Sequence, residues 1–80
     1  MDLENLQTTI VDARGVSCPG PLLEAKKGIG QVDVGGVIEI YSSDPGTGND
    51  LPAWCNKVGH EFLGSLEGEG YTRYFIKRTM

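Results

Sequence analysis

Four consecutive residues, Cys18-Pro19-Gly20-Pro21, set a thiol beside two prolines and a glycine. The thiolate form of cysteine is a nucleophile, and its use depends on how readily the thiol gives up its proton. Upstream, Thr9-Ile10-Val11-Asp12-Ala13 reads as a short strand, and Arg14-Gly15-Val16-Ser17 as the turn out of it. Downstream, Leu22, Ala25, Lys26 and Ile29 recur at helical spacing, with Glu24, Lys27 and Gln31 on the other side. The cysteine therefore falls at or just before the first helical residue. Pro19 and Pro21 suit a first helical turn, whose N–H groups lack partners within the helix. The N–H groups of Gly20 and Leu22 are then expected to be free to face the sulfur. A helix N-terminus carries partial positive charge, favours a thiolate and lowers its pKa from the usual ~8.5. The plain alternative is that Cys18 merely stands in for a cap, a place that serine or aspartate fills better.

The other candidate residues have weaker cases. Cys55 shares an apolar helical face with Leu51, Trp54 and Val58. Core packing is its expected role, and a resolving or regulatory thiol is the alternative. His60 stands at a helix-to-strand junction, where a surface or hydrogen-bonding role is the expectation, ahead of catalysis. Asp44 is expected to cap or brace a turn, or else to take part in docking with Asp50. Arg14, Lys26 and Lys27 lie near Cys18 in sequence and are candidates to support an anionic sulfur or meet a partner's acidic groups. Two cysteines and one histidine do not make a zinc site. Gly46 and Gly48 lie in no phosphate-loop or dinucleotide fingerprint, so no metal or cofactor is expected.

These residues need elements to hold them. Residues 1–8 are polar and read as a flexible leader, and 9–80 as one domain. Strands are expected over about 8–13, 37–41, 60–66 and 71–77, with the first helix over about 19–31. The second helix ends near Val58, with Gly59 placed as its C′ residue. Its start is ambiguous. Thr47 with Asp50 fits a capping box, but Pro52 disfavours α geometry at Leu51 and points to a start near Pro52. The order β-α-β-α-β-β predicts an α/β two-layer sandwich, with two helices on one face of a four-stranded mixed sheet. Strand order does not follow from these patterns.

Composition narrows the function. A formal net charge of -4 argues against direct nucleic-acid binding through phosphate neutralisation. No apolar run approaches the ~18 residues of a membrane span. Two cysteines without a disulfide framework fit a reducing, cytoplasmic setting.

The pattern Asp12-x-x-Gly15-x-x-Cys18-Pro19-x-Pro21 resembles the TusA/SirA-like sulfur-carrier family. The resemblance extends to Gly36 before the second strand and Ser43-Asp44-Pro45 after it. It continues with Asp50-Leu51-Pro52 and Gly59-His60-Glu61, and covers about residues 10–78. It implies a carrier that accepts sulfane sulfur as a persulfide on Cys18, with Pro19 and Pro21 shaping the helix terminus. It further implies a persulfide donor protein, a cysteine desulfurase or a rhodanese, and a downstream sulfur-acceptor protein. The pathways served by the family include tRNA thiolation and sulfur oxidation. At the x position Gly20 replaces the larger or acidic residue of many members. It is expected to expose its N–H and clear space beside the sulfur. The rivals to this reading are a regulatory interaction module and a Cys18/Cys55 thiol–disulfide switch.

Overall fold

The structure is a computed structural model, and it describes residues 3–17 and 20–80. Its regular elements are β1 (Thr9–Asp12), α1 (Gly20–Ile29), β2 (Val37–Ser42), α2 (Thr47–Val58), β3 (Glu61–Glu67) and β4 (Thr72–Lys77). The four strands form one sheet in the order β1-β2-β4-β3. β1 runs parallel to β2, and the other neighbours are antiparallel. The sheet is therefore mixed, as expected, and both helices pack on one face of it.

Alternation assigns that face. Ile38 and Ile40 of β2 pair with Ile76 and Tyr74 of β4. All four are buried in one cluster with Ala25 and Ile29 of α1 and Leu51 and Cys55 of α2. Pro21 is also fully buried, so it packs into the fold as well as shaping a helix terminus. Burying such aliphatic side chains is worth roughly 1.5–3 kcal/mol each before entropy is counted.

α2 corrects one expectation. The helix starts at Thr47, with Pro52 inside it. No capping box forms, because Gly46 occupies the N-cap and no side chain bonds there. The Thr47 hydroxyl instead meets the Ser42 hydroxyl at 2.7 Å in a buried pair. That pair and buried Leu51 seat the first turn on β2, and this packing outweighs the local preference set by Pro52. At the other end, Gly59 adopts φ 95° and donates its N–H to the Cys55 carbonyl at 2.8 Å. A left-handed residue at that place is a role glycine fills without strain.

The sheet's other face is covered in part by the chain's own N-terminal stretch. Within the expected leader, Leu3–Asn5 form a single 3-10 turn against β3. Leu3 Cδ1 occupies the space in which a side chain at Gly64 would stand. Arg73 of β4 pairs with Glu4 at 3.0 Å and with Glu39 at 2.7 Å. Thr8 donates to the second oxygen of Glu39 at 2.8 Å. Glu39 is buried, and Phe75 is completely so. The clasp of Glu4, Arg73, Glu39 and Thr8 thus fastens residues 3–8 across the sheet.

Candidate functional site

Cys18 and Pro19 lie outside the described residues, so the site is built from its surroundings. In a parallel pair, both strands end at the same edge of the sheet. The segment leaving β1 and the segment leaving β2 therefore emerge side by side. The Gly15 N–H donates to the Ser43 hydroxyl at 3.0 Å and ties these two segments together. The turn between β3 and β4 sits at the same edge, because Thr72 pairs with Ser42. Cys18 belongs by sequence to the segment between β1 and α1, and α1 and α2 both begin from this edge.

Arg14 is the most highly constrained charged residue here. Its backbone N–H, Nε and Nη2 all donate to Asp12, at 3.1, 2.9 and 2.8 Å. Its guanidinium carbon lies 5.5 Å from the Tyr41 ring centre and 5.0 Å from that of Tyr71, within cation–π reach. The two rings contact each other at 5.1 Å. Hydrogen bonding from Arg14 holds the Asp12 carboxyl at about 2, well below the usual carboxylate range. Sequence patterns had suggested Arg14 as a docking charge. They gave no sign of its tyrosine setting, which depends on the long-range pairing of β2 with the β3–β4 turn.

The other predicted residues separate. Lys26 and Lys27 sit in the last turn of α1, remote from the edge where that helix begins. Lys27 lies 4.0 Å from Glu24, and both are substantially exposed. Lys26 lines a groove between the helices with Leu22, Asp50 and Trp54. Asp44 braces its turn through the backbone. Its N–H donates to Ser42 Oγ at 3.2 Å, and its carbonyl accepts from Thr47. Its Oδ2 is buried and has no hydrogen-bond partner among the described residues.

Gly20 differs from expectation in two respects. Its N–H is donated to the Ser17 carbonyl at 2.7 Å and so is not free for the sulfur. Val16 Cγ1 already fills the direction in which a Cβ at position 20 would project. Glycine there admits the exposed Val16 side chain against the helix start; it does not leave that space open.

Cys55 is buried with 1 % exposure, and burial pushes its thiol from 9.0 up to about 11. His60 contacts the Trp54 ring at 5.5 Å, and its Nδ1 accepts from the Thr79 N–H at 3.3 Å. Among the described residues, no group of three or more His, Cys, Asp or Glu is placed to hold a metal ion. A cavity of about 690 Å³, lined by Leu6, Thr9, Gln31, Asp33 and Val37 among others, opens at the opposite edge of the sheet.

With this edge in place, the whole-chain pattern can be compared with known proteins. The profile of the family described as Sulfurtransferase TusA matches residues 9–78. This chain belongs to the TusA family. A provisionally named sulfur carrier protein of Archaeoglobus fulgidus is 46% identical over 69 residues, covering 86% of this chain and 94% of that one. The sulfur carrier protein TusA of Pseudomonas entomophila is 37% identical over 68 residues, covering 85% of each. The crystal structure of a SirA-like protein from Desulfitobacterium hafniense superposes with a TM-score of 0.78 at 24% identity. That match covers 91% of this chain and 100% of the other, and it shows the shared fold. The resemblance read from the motifs is thus a family membership, and the chain is a sulfur carrier of that family. Membership implies one protein that supplies sulfur and another that receives it.

Proposed function

We propose that Cys18 carries sulfur as a persulfide between two proteins. The observation that carries this reading is the sealing of Cys55 in the core. Of the chain's two cysteines, that leaves Cys18 as the remaining candidate for the carrier thiol. The Cys18 thiolate attacks the outer sulfur of a persulfide on the donor. A new S–S bond forms at Cys18, the donor's S–S bond breaks, and the donor leaves as a thiolate. The acceptor's nucleophile then takes the outer sulfur and Cys18 returns to thiolate, so loading and unloading need no oxidant. A cysteine desulfurase or a rhodanese has the chemistry to be the donor. A free carrier thiol suits a cytoplasmic setting, where thiols are kept reduced; among the described residues no helix is long and apolar enough to cross a membrane.

The test is Cys18→Ser. Serine keeps the size and caps a helix better, so the fold should persist. Wild type and variant are incubated with a cysteine desulfurase, its pyridoxal cofactor and cysteine, and in parallel with a rhodanese and thiosulfate. The wild type should gain about 32 Da, reversed by reductant. Sulfur uptake by Cys18→Ser, or its loss in Cys55→Ala with Cys18 intact, would disprove the assignment.

A further inference from the structure

We infer that Arg14 is a positioning residue for the sulfur-carrying thiol, an inference that rests on Cys18 being the carrier. The segment between β1 and α1 has few fixed points. Ala13 donates to the Tyr41 carbonyl at 2.8 Å, Val16 to Ala13 at 3.3 Å, and Gly15 to Ser43 at 3.0 Å. Gly15 takes φ 78°, so the chain reverses sharply just after Arg14. The Arg14 side chain folds back at this reversal instead of extending into solvent. Its forked contact with Asp12 fixes the guanidinium in its own plane. Tyr41 and Tyr71, in contact with each other, lie side by side against it. One side chain thereby joins the departing segment to β1, β2 and the β3–β4 turn.

Stability alone does not account for this arrangement. The side chains of Arg14 and Asp12 are each about half exposed, and exposed pairs contribute little to folding. What the cluster supplies is a defined direction for the chain four residues before Cys18. Transfer between two proteins requires the sulfur to arrive at a fixed place, and a displacement of about 1 Å can cost roughly 10²-fold in rate. Lysine cannot replace arginine here, because an ammonium has no planar fork to match the carboxylate.

The experiment reads Cys18 directly. Arg14→Lys and Tyr71→Leu approach the same cluster from different sides. Alkylation of Cys18 by iodoacetamide is followed by peptide mapping from pH 5 to 10, with circular dichroism on the same samples. Both variants should stay folded with Tm within a few degrees of wild type. Their rate of Cys18 alkylation at pH 7 should be lower by about threefold to tenfold. Desulfurase loading should fall through kcat with KM unchanged, as expected of a group that orients the sulfur and does not hold the donor. Profiles that superpose on wild type, or a slowing that only tracks lost folded protein, would overturn the inference. Sulfur loading of Cys18→Ser separates failure of the carrier assignment from failure of the Arg14 role.

Discussion

Cys55 permits a quantitative test of the two thiols' separate roles. Its sulfur is buried between α2 and the sheet, and desolvation raises the thiol from 9.0 to about 11. At pH 7.5 a thiol of pKa 9 is ionised in about one molecule in 30, and one of pKa 11 in about one in 3,000. The thiolate population alone therefore slows alkylation of Cys55 by roughly 100-fold. Burial adds to this, because reagent reaches the sulfur only in locally opened molecules. The assay is a timed iodoacetamide pulse on native protein, quenched and mapped by mass spectrometry, with glutathione as reference and unfolded protein as the full-access control. Cys55 should react at least about 100 times more slowly than glutathione when folded, and comparably when unfolded. The same burial sets a pH dependence. The folded chain keeps a proton that the unfolded chain releases near pH 9. The Cys55 contribution to stability is thus complete below pH 9 and is lost as pH rises through about 11. Native labelling of Cys55 within tenfold of glutathione would refute the buried-thiol argument and revive a Cys18/Cys55 switch.

Two further outcomes follow from the ion pairs. The Asp12 carboxyl should titrate near 2 by carbon NMR and return toward about 3.9 in Arg14→Ala. Because its pKa is lowered by folding, this pair's contribution is present above pH 4 and is lost as pH falls through about 2. Arg73→Met should cost about 2–3 kcal/mol in urea denaturation, since it leaves the buried Glu39 carboxylate without its cationic partner. Glu4→Ala, at the exposed end of the same clasp, should cost under about 1 kcal/mol; equal losses from the two variants would contradict the burial argument.

The elements that were legible in the sequence are those with strong local signals. Val37-Ile38-Glu39-Ile40-Tyr41 announces β2, and Gly59 marks the end of α2 by the one backbone conformation it adopts there. The start of α2 was not legible, because Thr47 is held by a hydroxyl across the fold on Ser42 and not by its own turn. Glu39 in a strand reads as a surface residue until Arg73 and Thr8 are brought to it from 34 and 31 positions away. The candidate site divides in the same way. Cys18-Pro19-Gly20-Pro21 stands out as a motif, and the apolar stripe anticipated the burial of Cys55. Lys26 and Lys27 were drawn toward Cys18 by closeness in sequence, whereas roughly 1.5 Å of helix rise per residue carries them away from the start of α1. The tyrosines around Arg14 could not be anticipated, because Tyr41 and Tyr71 are 30 positions apart and meet only through strand pairing.

The edge position of β1 has a consequence for how the protein opens. This four-residue strand has a single neighbour, β2, whereas β4 is flanked on both sides. Its amide protons should exchange with solvent earlier than those of β4, by partial openings that leave the β2-β4-β3 unit assembled. Such an opening parts Asp12 from Tyr41 and draws Arg14 away from both rings, which stay with the assembled unit. The chain immediately before Cys18 is thereby anchored to a short edge strand of the sheet. Release of that strand costs less free energy than global unfolding, and it removes the anchor that holds Arg14 in place.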